Sequence, residues 1–227
     1  MPAQGGTGHR RARALLPVVL PAVLLVLVTV DVLAGGPLRW LDWRVHRAVA
    51  GTDLPRLPLR AVALLGQRWL TAPIVLAVTV LVAVRRRSWR PLLVTGVTLG
   101  TLWVGGQLFK ALTGRTAPAS GHDRLLVSGA ESYPSGHVAN AVVSIGLIVL
   151  LLTGRRLGVR SWWWAVPAVT GTAVVLLDFH WVTDVLAGAL VGALVLQLPY
   201  SLPFPPAYPA RRRPVAVDVQ SDGYVSQ

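Results

Sequence analysis

Six runs of uncharged, apolar residues follow one another along this chain: Leu15 to Ala34, Leu70 to Val84, Pro91 to Leu112, His137 to Thr153, Ser161 to Phe179 and Val182 to Leu198. A helix needs about 20 such residues to cross the hydrocarbon layer of a bilayer. The pattern predicts an all-α, polytopic membrane protein with six transmembrane helices. Composition agrees: 53% of the residues are hydrophobic and only 14% are charged, against about 25% charged in an ordinary soluble domain. The second run is short, and its helix is expected to begin earlier, at or before the Trp69 to Pro73 stretch.

The net charge of +13 would suggest nucleic acid in a soluble protein. Here the arginines stand in clusters between apolar runs, as cytoplasmic anchors do. Arg10, Arg11 and Arg13, then Arg85, Arg86, Arg87 and Arg90, then Arg155, Arg156 and Arg160, then Arg211, Arg212 and Arg213 fall on one side of a six-span topology. By the positive-inside rule that side is cytoplasmic and holds both termini. The first run exceeds the 7 to 15 residues of a signal-peptide core, so it is expected to be an uncleaved span. Residues 1–14 then form a cytoplasmic basic segment, 15–200 the membrane domain and 201–227 a disordered cytoplasmic tail. Between the first two spans, Leu38, Leu41, Val45, Ala48 and Val49 recur near helical period beside Trp40 and Trp43, which predicts an amphipathic helix anchored in the interface.

With the cytoplasmic arginines and the tail set aside, the ionisable groups converge on two stretches at the outer face, Lys110 to His137 and Asp178 to Asp184. Ionisable groups at a membrane boundary are expensive to desolvate and are therefore functional candidates. Lys110 and Arg115 flank a Gly- and Pro-shaped turn, and such a cation pair suits a phosphate. In Tyr133-Pro134-Ser135-Gly136-His137, Ser135 is a helix N-cap candidate and Gly136 allows close approach of an anion to free backbone N–H groups. His180 and Asp184 lie one helical turn apart, so the carboxylate is expected to bond one imidazole nitrogen and leave the other as a nucleophile or base. The chain has no cysteine, which excludes a thiol nucleophile. The outer acids Asp31, Asp42, Asp53, Asp123, Glu131, Asp178 and Asp184 are scattered along the chain, so no clustered metal site is expected.

These segments resemble the type 2 phosphatidic acid phosphatase superfamily over nearly all of residues 10–200. The family pattern has three motifs: Lys, six residues, Arg-Pro; then Pro-Ser-Gly-His; then Ser-Arg, five residues, His, three residues, Asp. The second is intact at Pro134 to His137. The first keeps Lys110 and Pro118 but has Ala117 in place of arginine, and the third keeps His180 and Asp184 but has Ala173 and Val174 in place of Ser-Arg.

The resemblance implies a six-helix bundle whose substrate is a membrane lipid phosphate or isoprenoid diphosphate, met within the bilayer, with no metal, cofactor or nucleic acid. His180 would attack phosphorus to form a phosphohistidine, Asp184 would orient it, and His137 would protonate the leaving oxygen. Lys110, Arg115, Ser135 and Gly136 would hold the phosphoryl oxygens, with Arg115 replacing a lost guanidinium. The same residues would serve a lipid phosphotransferase, and the two departures from the arginine pattern also admit a non-catalytic lipid-binding relative.

Overall fold

The computed structural model describes residues 6–158 and 161–202, with side chains from Leu15 onward. All regular structure among them is helical: α1 (Gly6–Ala34), α2 (Pro37–Val49), α3 (Arg56–Ala63), α4 (Arg68–Arg86), α5 (Arg90–Thr113), α6 (Gly136–Thr153), α7 (Ala165–Leu176), α8 (Val182–Val195) and the short α9 (Gln197–Ser201), with a few 3-10 turns. Residues 203–227 of the expected tail, with Arg211 to Arg213, and Arg160 lie outside the described residues, whereas Ser201, the first residue of that expected tail, ends α9. The side chains of the N-terminal basic segment also lie outside the described residues.

Helix α6 is the axis. Protein buries 61% of its membrane-length window, against 17% for α1 and for α5. A helix that is apolar all round belongs in a core, and α4, α5, α7 and α8 pack around this one. Val138, Val142, Val143 and Leu147 meet Val75 of α4, Val174 of α7 and Leu196. On α8, a Cβ at Gly188 would lie 2.4 Å from the Ser135 carbonyl oxygen, and one at Gly192 3.0 Å from that of Ala139. Only glycine permits this backbone-to-backbone approach, which sets the middle of α8 against the first turn of α6. Leu27, Leu76, Val97 and Val104 face outward, as lipid-exposed side chains do.

Among the described residues, five helical stretches are long and apolar enough to cross a membrane: Leu15–Ala34, Arg68–Arg86, Arg90–Ser120, Gly136–Thr153 and Val182–Ser201. The second begins at Arg68, ahead of the apolar run, as expected. The run from Ser161 to Phe179 is not among these five. It yields the shorter apolar helix Trp162–Leu176, about 22 Å long at 1.5 Å per residue, against a hydrocarbon thickness of about 30 Å. It stops because Asp178 adopts φ 58° and the amides of Phe179 and His180 turn back onto the Val174 carbonyl at 2.9 and 3.3 Å.

The amphipathic segment forms α2 as predicted, but anchoring in the interface is only half of its placement. Trp40 and Leu41 are exposed, whereas Asp42 is buried and the helix packs on α1 and α8. One end of the bundle thereby gathers the ends of α1, α5 and α7, the starts of α4, α6 and α8, and α2. The opposite end carries Arg86, bonded to the Leu151 carbonyl, and Arg156, bonded to the Tyr200 carbonyl.

Candidate active site

The loop between α5 and α6 is folded back on itself and on its neighbours. Gly114 ends α5 at φ 47°, and the amides of Leu126, Val127 and Ser132 bond the carbonyls of Thr113, Gly114 and Arg115. The Ser132 to His137 stretch is thereby held beside α8, and the Ser135 amide donates to the Asp184 carbonyl at 2.9 Å. Ser135 caps α6 as predicted, its hydroxyl accepting from the Val138 amide.

His180 is 7% exposed. Its Nδ1 lies 2.9 Å from the Ser132 carbonyl oxygen and 3.6 Å from Asp184 Oδ2. The expected direct bond to Asp184 is therefore replaced by one to the backbone. A carbonyl only accepts, so this contact places the proton on Nδ1 and leaves the lone pair on Nε2. Asp184 acts one step away: its carboxylate accepts from the Trp181 amide at 2.9 Å, from the Ser132 hydroxyl and from Arg115 Nη1 at 2.8 Å. It secures both the chain entering α8 and the residue whose carbonyl orients His180.

His137 stands edge-on to His180, ring centroids 5.5 Å apart. The Gln67 side-chain amide bonds His137 Nε2 at 2.9 Å. A carboxamide carries both a donor and an acceptor at its tip, so it suits either protonation state of the ring. Gln67 is positioned by the turn before α4, which Asn140 of α6 ties down by donating to the Gly66 carbonyl and to Thr71 at 2.9 and 2.6 Å. Lys110 Nζ lies 3.4 Å from Glu131 Oε2, and a Cβ at Gly136 would come within 3.8 Å of it. Lys110, Ser135, Gly136, His137 and His180 line one cavity of about 930 Å³. From this polar end it continues along α5 past Gly106, Trp103 and Leu99, with Ala72 of α4 and Val191 of α8 on its other walls.

Arg115 is placed otherwise. Its side chain is 0% exposed and does not line the cavity. The guanidinium bonds Asp42 at 2.7 Å, Asp123 at 2.9 and 3.0 Å, Asp184 at 2.8 Å and the Thr183 hydroxyl at 2.6 Å. All of its donor directions are engaged, so the expected phosphate contact gives way to a buried anchor behind Asp184. Asp42 also accepts from the Thr183 amide and hydroxyl, and Asp123 from Arg39 Nε at 2.7 Å. Burial pushes the Asp42 carboxyl above the ordinary range and outweighs its Arg115 and Thr183 bonds. At Asp123 burial acts in the same direction, but the bonds to Arg115 and Arg39 prevail and hold it below.

Three acids that are far apart in sequence thus converge on one guanidinium. Asp42, Asp123 and Gln67 were not singled out by the sequence reading. The helical period of α2 places Asp42 opposite Trp40, a weak signal, and nothing comparable marks Asp123 or Gln67. Of the two arginine positions of the family pattern, Ala117 lines the cavity and Val174 is buried in the core. Among the described residues, no cluster of three or more His, Asp or Glu is arranged to hold a metal ion.

A multi-pass helical membrane protein that presents two histidines, a lysine and a capped helix start at the end of an apolar cavity defines a class. Residues 90–205 match the PAP2 superfamily, half of the chain, and the protein belongs to that family. The fold is similar to the crystal structure of the first transmembrane PAP2-type phosphatidylglycerolphosphate phosphatase from Bacillus subtilis, with a TM-score of 0.64 and 22% identity over 80% of this chain and 94% of that one. The chain is also 36% identical over 114 residues to the lipid A 1-phosphatase of Porphyromonas gingivalis. That match covers 47% of this chain and 23% of the relative, so it spans about a quarter of the relative's length.

Proposed function

We propose that the protein is a membrane lipid phosphatase that hydrolyses a lipid phosphate or isoprenoid diphosphate through a phosphohistidine on His180. The observation that carries this reading is the His180 Nδ1 contact to the Ser132 carbonyl, which leaves Nε2 as the nucleophilic nitrogen in a cavity shared with His137 and Lys110. In the first step Nε2 bonds to the terminal phosphorus, the bond from phosphorus to the leaving oxygen breaks, that of the lipid alcohol in a monophosphate or the bridging oxygen in a diphosphate, and His137 protonates that oxygen. In the second, water attacks phosphorus, His137 takes the proton, and the N–P bond breaks to release phosphate and restore His180. Lys110, Ser135 and Gly136, with the N–H groups opening α6, neutralise the phosphoryl oxygens, and this positioning and charge neutralisation is what phosphoryl transfer chiefly requires. The apolar length of the cavity along α5 suits the lipid chain.

The chemistry uses no metal on this reading. Purified protein in detergent is expected to release phosphate from phosphatidic acid or an isoprenoid diphosphate at the same rate with and without EDTA; activity that vanishes with the chelator counts against it. A panel of lipid phosphates identifies the substrate, and transfer of the phosphoryl group to an added alcohol in place of water would make the protein a phosphotransferase.

The site is proposed to face the extracytoplasmic side, with both termini cytoplasmic. Support comes from Arg85 to Arg87, Arg90, Arg155 and Arg156, which stand at the end of the bundle away from the cavity, on the side the positive-inside rule assigns to the cytoplasm. The chain has no cysteine, so Ser120→Cys and Ser88→Cys each introduce a single label site. In intact cells an impermeant maleimide is expected to react at position 120 and not at 88. The reverse pattern inverts the topology.

A further inference from the structure

We propose that Arg68 supplies the guanidinium that binds the substrate phosphate, in place of the arginines absent at Ala117 and Val174; this rests on the phosphatase reading above. Neither of those positions carries charge, and Arg115 is closed off by Asp42, Asp123 and Asp184. Among the described residues that line the cavity, the cations are Lys110 and Arg68, and Lys110 is shared with Glu131. A phosphate monoester approaching His180 would therefore lack a guanidinium unless Arg68 provides it.

Arg68 is placed to do so. It is the first residue of α4 and follows Gln67, whose side chain touches His137, so its Cα is one peptide, about 3.8 Å, from that of a residue in contact with His137. It makes no ion pair with a carboxylate among the described residues. Its guanidinium lies 5.8 Å from the centre of the Trp103 ring, and Trp103 lines the same cavity two helical turns before Lys110, on the same side of α5. A cation in the first turn of a helix opposes the helix dipole, so the stability of α4 does not account for an arginine there, whereas an anion beside it would. In this arrangement the Trp103 face holds the guanidinium at the cavity wall, and rotation of the side chain brings its planar fork to the phosphoryl oxygens.

The test uses the full-length protein in detergent as wild type, Arg68→Gln, Arg68→Lys and Arg68→Gln combined with Ala117→Arg. Arg68 is exposed, so the melting temperature without ligand should be the same in wild type and in both single variants. With phosphatidic acid as substrate, Arg68→Gln is expected to lose about 100-fold in kcat/KM, the scale of one removed oxyanion donor. Arg68→Lys should lose less, and Ala117→Arg should return at least tenfold to Arg68→Gln by restoring a guanidinium from another residue that lines the cavity. A loss of less than threefold in Arg68→Gln overturns the proposal. Binding of inorganic phosphate, followed as a shift in melting temperature, gives a readout independent of turnover, and Arg68→Gln should bind at least tenfold more weakly. If wild type turns over no lipid phosphate, the phosphatase reading fails, and phosphate binding alone decides the role of Arg68. Equal binding by wild type and Arg68→Gln, or no phosphate-dependent shift in either, overturns it.

Discussion

Arg115→Met is expected to destabilise the folded protein by about 3–5 kcal/mol, the scale on which removal of one partner leaves buried charges uncompensated. The side chains of Asp42 and Asp184 are 0% exposed and that of Asp123 is 1% exposed. Without the guanidinium these three carboxylates face one another across a desolvated space, with Arg39 left to serve Asp123. Lysine is a poor substitute, because three rotatable donors on a point charge cannot reproduce a planar fork that reaches Asp42, Asp123, Asp184 and Thr183 at once. Thermal unfolding in detergent should show a clear loss for Arg115→Met and a partial one for Arg115→Lys, with lower yields of folded protein. If Arg115→Met keeps the wild-type melting temperature and loses only turnover, Arg115 is a phosphate ligand after all, and the buried cluster is not what holds the loop between α5 and α6.

The second large effect belongs to His180. On the proposed mechanism, His180→Ala removes the nucleophile, and turnover should fall by at least ~10⁴-fold, as removal of a nucleophile does in other hydrolases that form covalent intermediates. The melting temperature should change far less than for Arg115→Met, because His180 contributes one buried hydrogen bond, worth about 1 kcal/mol, against a cluster of four charges. The two variants thus separate chemistry from scaffold. A phosphohistidine is acid-labile, so rapid quenching under alkaline conditions after mixing with ³²P-labelled lipid phosphate should leave label on the wild-type chain and none on His180→Ala. Label retained by His180→Ala, or turnover within tenfold of wild type, removes His180 from the nucleophile's role.

Membrane character, helical class and family were legible from residue order alone, because each depends on local pattern. A run such as Leu15 to Ala34 must be helical wherever it sits in a bilayer, since its backbone has no other way to satisfy its N–H and C=O groups there. Ser135 before Gly136 is likewise an N-cap by its own chemistry. The structure keeps His180 near Asp184, Nδ1 to Oδ2 3.6 Å, but places it before the N-cap Trp181 and outside α8, so only the closeness of the pair was legible in their spacing of four. That spacing could not show that the Ser132 carbonyl, 48 residues away along the chain, would take the imidazole proton in place of the carboxylate.

Pattern failed where a residue's role depends on what it meets. Arg115 on its glycine turn looks like an exposed phosphate ligand, and α2 looks like an interfacial anchor. Each reading assumes solvent or lipid on a face that protein covers. Asp42 is 73 residues from Arg115, and Asp184 is 69, so no local signal links the three. The turn carrying Gln67 reaches His137 across 70 residues. The sequence by itself determined that this chain enters a membrane as apolar helices and carries the histidines, aspartate and capped helix start of its family. Tertiary structure alone decided which cations face the cavity and which are buried behind it. A charge is ligand or anchor according to the carboxylates packed around it, and that packing is set by the glycine-mediated approach of α8 to α6 and by the docking of α2 on α1 and α8.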